Sequence, residues 1–280
     1  MEAYKVIEIK KSVFESNDRE AEKLRAELKA EKTFLVNLMS SPGSGKTTTL
    51  RGIIGRLQQE MRIGVMEADI DSDVDAKTIA ETGVRAIQLH TGGMCHLDAG
   101  MTRQGVENLD TADLDLVFLE NVGNLVCPAE FDTGAAKNMM ILSVPEGDDK
   151  PLKYPLMFTV SDVVLINKMD TKSVFDFDDQ AVQERILKLN PQAKIFFISA
   201  KTGQRVNRLF EQIAYVYAQS TMRISTGKLN EILGAATARV QPPTDKGKRL
   251  KIYYMTQASV CPPTFVFFVN LSLIHISEPT

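Results

Sequence analysis

Apolar residues in this chain gather into short runs, separated by stretches in which they recur at helical spacing. From Thr33 onward the runs at 34–39, 63–67, 86–89, 116–119, 139–144, 163–166 and 195–198 have the length and β-branched content of strands. Helix-competent segments lie between most of them, the clearest at 47–59. Strand and helix in alternation predict an α/β fold, a mostly parallel sheet with helices on both faces. Residues 1–32 form an appendage before the first core strand. It reads as a short strand at 6–9 and a charged amphipathic helix at 16–30, which Asn17 or Asp18 can cap. After residue 220 the pattern changes to a helix at 225–239, a basic turn, and strands at 250–255 and 264–269.

Composition narrows the function. The 280 residues are 44% hydrophobic and 25% charged, the balance of a soluble globular protein. A net charge of −3 argues against a generic nucleic-acid footprint. No apolar run is long enough to span a bilayer, and the first residues do not read as a signal peptide. Three cysteines, Cys95, Cys127 and Cys261, make no disulfide framework in a chain of this length, so a reducing cytoplasm is the expected setting.

The chemistry sits at the ends of the predicted strands, where ligands gather in open α/β sheets. The run at 34–39 feeds Ser40-Ser41-Pro42-Gly43-Ser44-Gly45-Lys46-Thr47, followed by a helix: the context of a phosphate-binding loop. Gly43 and Gly45 let backbone N–H groups point inward, and the helix N-terminus adds partial positive charge. Ser44, Lys46, Thr47 and Thr48 complete the loop; Lys46 would reach the β- and γ-phosphates and the Thr47 hydroxyl would hold Mg²⁺. The usual opening glycine is here Ser40. After 63–67 comes a run with four aspartates, lacking the glycine and terminal Glu of a calcium loop. Asp69 is placed there to act in the Mg²⁺ shell or on the attacking water. Asp75 would cap the next helix or support the switch region. After 116–119, Glu120 and Gly123 match the γ-phosphate-sensing loop of GTPases, many of which carry Asp in place of Glu120. After 163–166, Asn167-Lys168-Met169-Asp170 matches the guanine-reading motif. The Asp170 carboxylate can accept from guanine N1 and N2, a donor pair adenine lacks. Ser199-Ala200-Lys201 is the second guanine-side loop. Three matches in order on successive strand ends name GTP as the nucleotide.

Two thiols and an imidazole follow the switch strands: Cys95 and His96 after 86–89, Cys127 after 116–119. Such donors suit Zn²⁺ or Ni²⁺. Spacing alone equally allows two buried thiols and a satisfied histidine. One chain offers three soft ligands where a closed zinc site takes four, so two copies about a two-fold axis could share a site.

Residues 1 to about 200 resemble the HypB family of hydrogenase nickel-incorporation GTPases. The resemblance rests on Asn37 to Thr47, Gly93-Met94-Cys95-His96-Leu97-Asp98, Glu120 to Pro128, and Asp149-Lys150-Pro151-Leu152-Lys153-Tyr154-Pro155. It implies a P-loop NTPase of the signal-recognition/MinD/BioD (SIMIBI) class that dimerises with GTP. It also implies Zn²⁺ or Ni²⁺ at Cys95, His96 and Cys127 near the dimer interface, a HypA-type nickel chaperone, and the [NiFe] hydrogenase large subunit as recipient. The N-terminal Cys-rich or His-rich nickel segments of some members are not among these residues. The sister family that delivers nickel to urease resembles Cys-Pro-His at the metal loop, which the Cys95-His96 order disfavours.

From Gln204 the chain resembles Der (EngA), a ribosome-assembly GTPase, in Arg205 to Phe210, Gln219 to Gly227 and Gln241 to Arg249. There the same run closes a G domain and opens a KH-like domain. Gly227-Lys228 is not a Gly-x-x-Gly loop, so ordinary KH-type RNA binding is not expected, and ribosome contact is expected only through this segment. Residues 271–280 resemble translated sequencing-adapter read-through. The chain thus reads as a chimera joined at Ile198-Ser199-Ala200-Lys201-Thr202-Gly203, against a genuine domain fusion. Expected boundaries are 1–32 for the appendage, 33–219 for the GTPase domain with its metal site, 220–270 for a partial KH-like segment, and 271–280 for a non-native tail. A metal-binding protein with a purely regulatory GTP site is the remaining alternative.

Overall fold

Strands covered by helices on both faces read as near-continuous apolar runs, and the runs after Thr33 are such strands. The computed structural model describes residues 9–69, 74–207, 209–211, 213, 215, 222–240, 244–245, 248–259 and 264–270. Its strands are β1 (Phe34–Ser40), β2 (Ile63–Asp69), β3 (Arg85–His90), β4 (Leu116–Glu120), β5 (Lys137–Ser143), β6 (Val163–Asn167) and β7 (Lys194–Phe197). They form one seven-stranded sheet in the order β3-β2-β4-β1-β5-β6-β7, every pair parallel. Central strands such as β1 and β4 are buried along nearly their whole length, whereas edge strand β3 is not.

The helices of this unit are α1 (Ile9–Glu31), α2 (Lys46–Leu57), α3 (Val74–Ala80), α4 (Ala99–Leu109), α5 (Cys127–Glu130), α6 (Lys150–Lys153), α7 (Pro155–Thr159) and α8 (Asp179–Leu189). Alternation along β1 sends Val36 and Leu38 to one face, where they join Leu50, Ile53 and Ile54 of α2 and Ile79 of α3. Leu35 goes to the other face, with Leu24 and Leu28 of α1 and Val106 and Leu109 of α4. Met39 and the residues of β5 and β6 pointing the same way meet Phe158 of α7 and Val182 and Ile186 of α8. Asn121 donates to Asn37 (3.1 Å) and Asn37 to Asn138 (3.0 Å), so these side chains on or beside three neighbouring strands satisfy one another.

The described residues between 206 and 215 are helical. Val206 and Leu209 are buried in the α2-side cluster, and Phe210 and Ile213 pack against it. The chain then divides, with one compact unit at Met1–Ala214 and a second at Tyr215–Thr280. In the second unit α9 (Thr226–Arg239), capped by Ser225, packs on a hairpin of β10 (Ile252–Ser259) and β11 (Thr264–Val269). Asn230 clasps β10 by donating to Met255 O (3.1 Å) and accepting from Met255 N (2.8 Å). The two-residue strands β8 (Thr244–Asp245) and β9 (Lys248–Arg249) occupy the expected basic turn.

Three local expectations need correction. The first helix begins at Ile9, so Ile9 is not in a strand and Asn17 and Asp18 lie inside the helix rather than at its cap; residues 6–8 lie outside the described set. Asp75 is the second residue of α3, not its cap. The adapter-like stretch 271–280 also lies outside the described residues. Among those residues, no helix is long and apolar enough to cross a membrane.

Candidate nucleotide and metal site

The turn between β1 and α2 needs backbone that only glycine adopts freely. Gly43 has φ +73° and Gly45 φ +101°. A Cβ on Gly45 would stand 2.6 Å from Asn167 Nδ2, so the loop is held against the β6 end. Asn167 donates to Ser44 O (3.0 Å) and accepts from Ala200 N (3.0 Å), linking phosphate loop, guanine motif and second guanine loop through one carboxamide. Lys168 donates to Gly43 O (2.6 Å). The Ser44 hydroxyl is buried with no hydrogen-bond partner. An orphaned hydroxyl and a glycine-lined cradle fit a phosphate.

Lys46 Nζ donates to Ser40 Oγ (3.1 Å), across the position where the usual loop has glycine. Thr47 Oγ1 donates to Glu120 Oε1 (3.3 Å), joining the residue expected to hold Mg²⁺ to a carboxylate on β4. Thr48 is exposed on the first turn of α2. A small cavity of about 40 Å³ is lined by Lys46, Glu67, Asp69, Gln88, Glu120 and Gly123, among others. Gly123 closes on the phosphate loop so tightly that a Cβ would lie 3.1 Å from Pro42 N. Asp69 and Glu120 thus line one cavity beside the phosphate loop, and Thr47 is hydrogen-bonded to Glu120.

On the base side, Ser199 Oγ donates to Asp170 Oδ1 (2.6 Å) and accepts from Thr202 N (3.2 Å). The Ser199 hydroxyl holds the Asp170 carboxyl below the usual carboxylate range, helped by the charges of Lys201 and Lys168. Asp170 is therefore an acceptor at neutral pH, as guanine recognition requires.

The metal candidates converge. The ligand atoms of Cys95, His96 and Cys127 lie within 4.8 Å of one another. The thiols are 2.8 Å apart, Cys95 Sγ donating to Cys127 Sγ. The hydrogen bond from Cys95, then burial, raises the Cys127 thiol above its ordinary value. Burial pushes His96 below the usual imidazole range, against the pull of Asp98 and Glu130. A neutral imidazole and two adjoining sulfurs suit a soft divalent ion, and the trio leaves coordination positions open. Asn124 orders this corner, accepting from Val126 N (2.7 Å) and reaching Cys127 Sγ (3.8 Å).

Several neighbours escaped the motif reading. Glu67 is only 2% exposed although ionisable, and a charge interrupting an apolar strand was its visible signal. Glu146 accepts from Ser41 Oγ and Ser143; the capping box Ser143-x-x-Glu146 announces it. Gln88 and Phe131 carried no signal, and Asn17 signalled only a helix cap, because their contacts run across the fold.

This fold, with Gly-Lys-Thr closing a glycine turn at the end of the central strand, defines a P-loop GTPase-type protein. Residues 34–197 match the family described as CobW/HypB/UreG, nucleotide-binding domain, and the chain belongs to that family. Residues 223–277 match the KH-domain-like C-terminal region of EngA bacterial GTPase enzymes. The chain is 44% identical over 220 residues to the hydrogenase maturation factor HypB of Azotobacter chroococcum mcd 1, covering 79% of this chain and 71% of that protein. It is 42% identical over 201 residues to the hydrogenase/urease maturation factor HypB of Helicobacter pylori, covering 70% and 82%. A crystal structure of the Helicobacter pylori HypB in complex with nickel superposes with a TM-score of 0.70 at 38% identity, over 75% of this chain and 99% of that one.

Proposed function

We propose that this chain hydrolyses GTP to GDP and phosphate, and that the nucleotide cycle controls a Zn²⁺/Ni²⁺ site used to deliver nickel during [NiFe] hydrogenase maturation in the cytoplasm. The observation that carries the reading is the loop after β4. Gly123 abuts the phosphate loop, and Cys127 follows four residues later, beside Cys95. One short segment is therefore in contact with both the place of the γ-phosphate and a metal thiolate.

Lys46 and the backbone of Gly43 to Thr47 bind the phosphates. Asp170 and Ser199 select guanine, with Ala200 N and Lys201 beside them. Thr47, Glu120 and Asp69 would hold Mg²⁺, which when bound draws charge from the β- and γ-phosphates. Asp69, which lines the cavity, orients the attacking water. The chain's partners in this reading are a second copy, joined when GTP is bound, a HypA-type nickel chaperone, and the hydrogenase large subunit. The name of the Helicobacter pylori relative includes urease, so the recipient class is the second variable. Nickel and zinc stoichiometry and affinity, measured by chelator competition with GDP and with a non-hydrolysable GTP analogue, test the proposal. Cys95→Ala should lose metal and keep GTP binding, and Lys46→Ala should lose turnover. Unchanged metal stoichiometry in Cys95→Ala would refute the site.

A further inference from the structure

The two metal loops are not held together by their own hydrogen bonds alone. Helix α1 reaches across both, and one buried carboxamide of the helix bonds to each of the two segments. Asn17, 8% exposed, accepts from Ala99 N (2.9 Å) and donates to Asp132 O (2.9 Å). Ala99 opens α4, three residues after His96, and its N–H is one of the donors a helix start leaves without an intrahelical partner. Asp132 stands five residues after Cys127, just beyond α5. The side chain thus gives its acceptor to the segment carrying Cys95 and His96, and its donor to the segment carrying Cys127.

A second contact lies beside it. Phe131 stacks on the His96 imidazole, centroids 3.9 Å apart and planes 15° from parallel, and Phe14 of α1 lies against Phe131 at 4.8 Å. The helix is anchored further along by Arg25, which donates to Asp132 and to Ala135 O, and by the ion pairs of Glu20 and Glu27 with Arg103 of α4. These anchors fix α1 to the body and leave Asn17 as the point where it touches both metal loops.

We propose that Asn17 is a positioning residue of the metal site: its carboxamide sets the relative placement of Cys95, His96 and Cys127, so that metal affinity depends on the docking of α1. The inference rests on the metal-site reading above. Supporting partners of metal ligands commonly change affinity by about 10- to 100-fold when removed. Asn17 acts one step further out, through loop backbone, so the lower end of that range is expected.

The test uses the full chain and Ni²⁺ with a chromophoric chelator as competitor. Asn17→Ala should weaken Ni²⁺ binding about tenfold, the equivalent of about 1.4 kcal/mol at 25 °C, with GTP affinity unchanged. At saturating Ni²⁺ its thiolate-to-nickel absorption should also differ from wild type, a change that mere loss of stability would not produce. The near-isosteric Asn17→Asp keeps the acceptor for Ala99 N and loses the donor to Asp132 O, and should weaken Ni²⁺ binding as well. It carries the test if Asn17→Ala does not fold. Ni²⁺ affinity within twofold of wild type in a folded variant would overturn the proposal. So would failure of both variants to fold, which would make Asn17 a residue of the fold instead. Cys95→Ala run in parallel separates the two levels: if that variant binds Ni²⁺ like wild type, the metal-site reading itself fails.

Discussion

The helix after β7 is the place to test whether the segment that follows the last strand completes the first compact unit. Leu209 is 1% exposed and sits with Val206 in the apolar cluster that includes Ile53 and Ile54 of α2, Leu165 of β6 and Ile198. Cutting it to alanine removes buried methyl groups and leaves a cavity that rigid neighbouring strands can fill only in part. Leu→Ala at such positions costs about 2–5 kcal/mol, a large share of the roughly 5–15 kcal/mol that holds a domain folded. In a unit of this size, each kcal/mol moves the melting midpoint by about 2–4 °C. A mid-range loss of about 3 kcal/mol therefore predicts a fall of about 6–12 °C. Thermal and urea unfolding of the nucleotide-free full chain, followed by far-ultraviolet circular dichroism, measures it. Tyr215→Ala is the control: that ring is 60% exposed and should move stability by less than about 0.5 kcal/mol. If Leu209→Ala melts with wild type while the urea slope is unchanged, the helix does not pack as described, and the GTPase unit ends at β7.

Two further predictions concern the base side. Asp170→Asn removes the charge and turns one of the two acceptor oxygens for guanine N1 and N2 into an NH2 donor; GTP affinity measured by calorimetry should fall by about 10- to 100-fold, from one lost charge-assisted bond of about 1.5–3 kcal/mol, with no gain for ATP. A fall of less than tenfold would remove Asp170 from base recognition. Ser199→Ala tests the pH dependence: the Ser199 hydroxyl favours ionised Asp170, so guanine affinity in wild type should persist as pH falls through the ordinary carboxylate range and drop only below it. Without the hydroxyl, Asp170 protonates at higher pH and the acid limb should move upward; an unmoved limb would mean that another group governs it.

Much of the nucleotide side was legible because its parts are contiguous. Strand β1, the glycine turn and α2 follow one another in sequence, and the period of apolar positions changes where the structure does. The guanine loops were legible because each directly follows a strand. Spacing alone left the metal trio open between a site and buried thiols, and only the family resemblance joined the three into one expected site. Cys95 follows β3 and Cys127 follows β4, strands separated in the sheet by β2, and only that order brings thiols 32 positions apart to 2.8 Å. Helix α1 was misjudged at Ile9 and at its expected cap, since Ile9 ends a run that alternates like a strand and Asn17 is a good cap residue. Its carboxamide instead serves two distant backbone groups, a choice made by tertiary packing.

The strand order also makes one edge of this molecule exchangeable. Thiols and switch segments grow from β3 and β4, on one side of central β1, and the guanine loops from β6 and β7 on the other. What comes after β7 joins the sheet through a short Ser-Ala-Lys turn and the apolar stripe of Val206, Leu209, Phe210 and Ile213. Another helix with the same stripe would complete that edge while the candidate metal trio, on the other side of β1, kept its geometry. For an engineer this is a cassette position. A reporter or targeting module attached behind β7 would put nucleotide preference at risk before it disturbed the proposed metal trio.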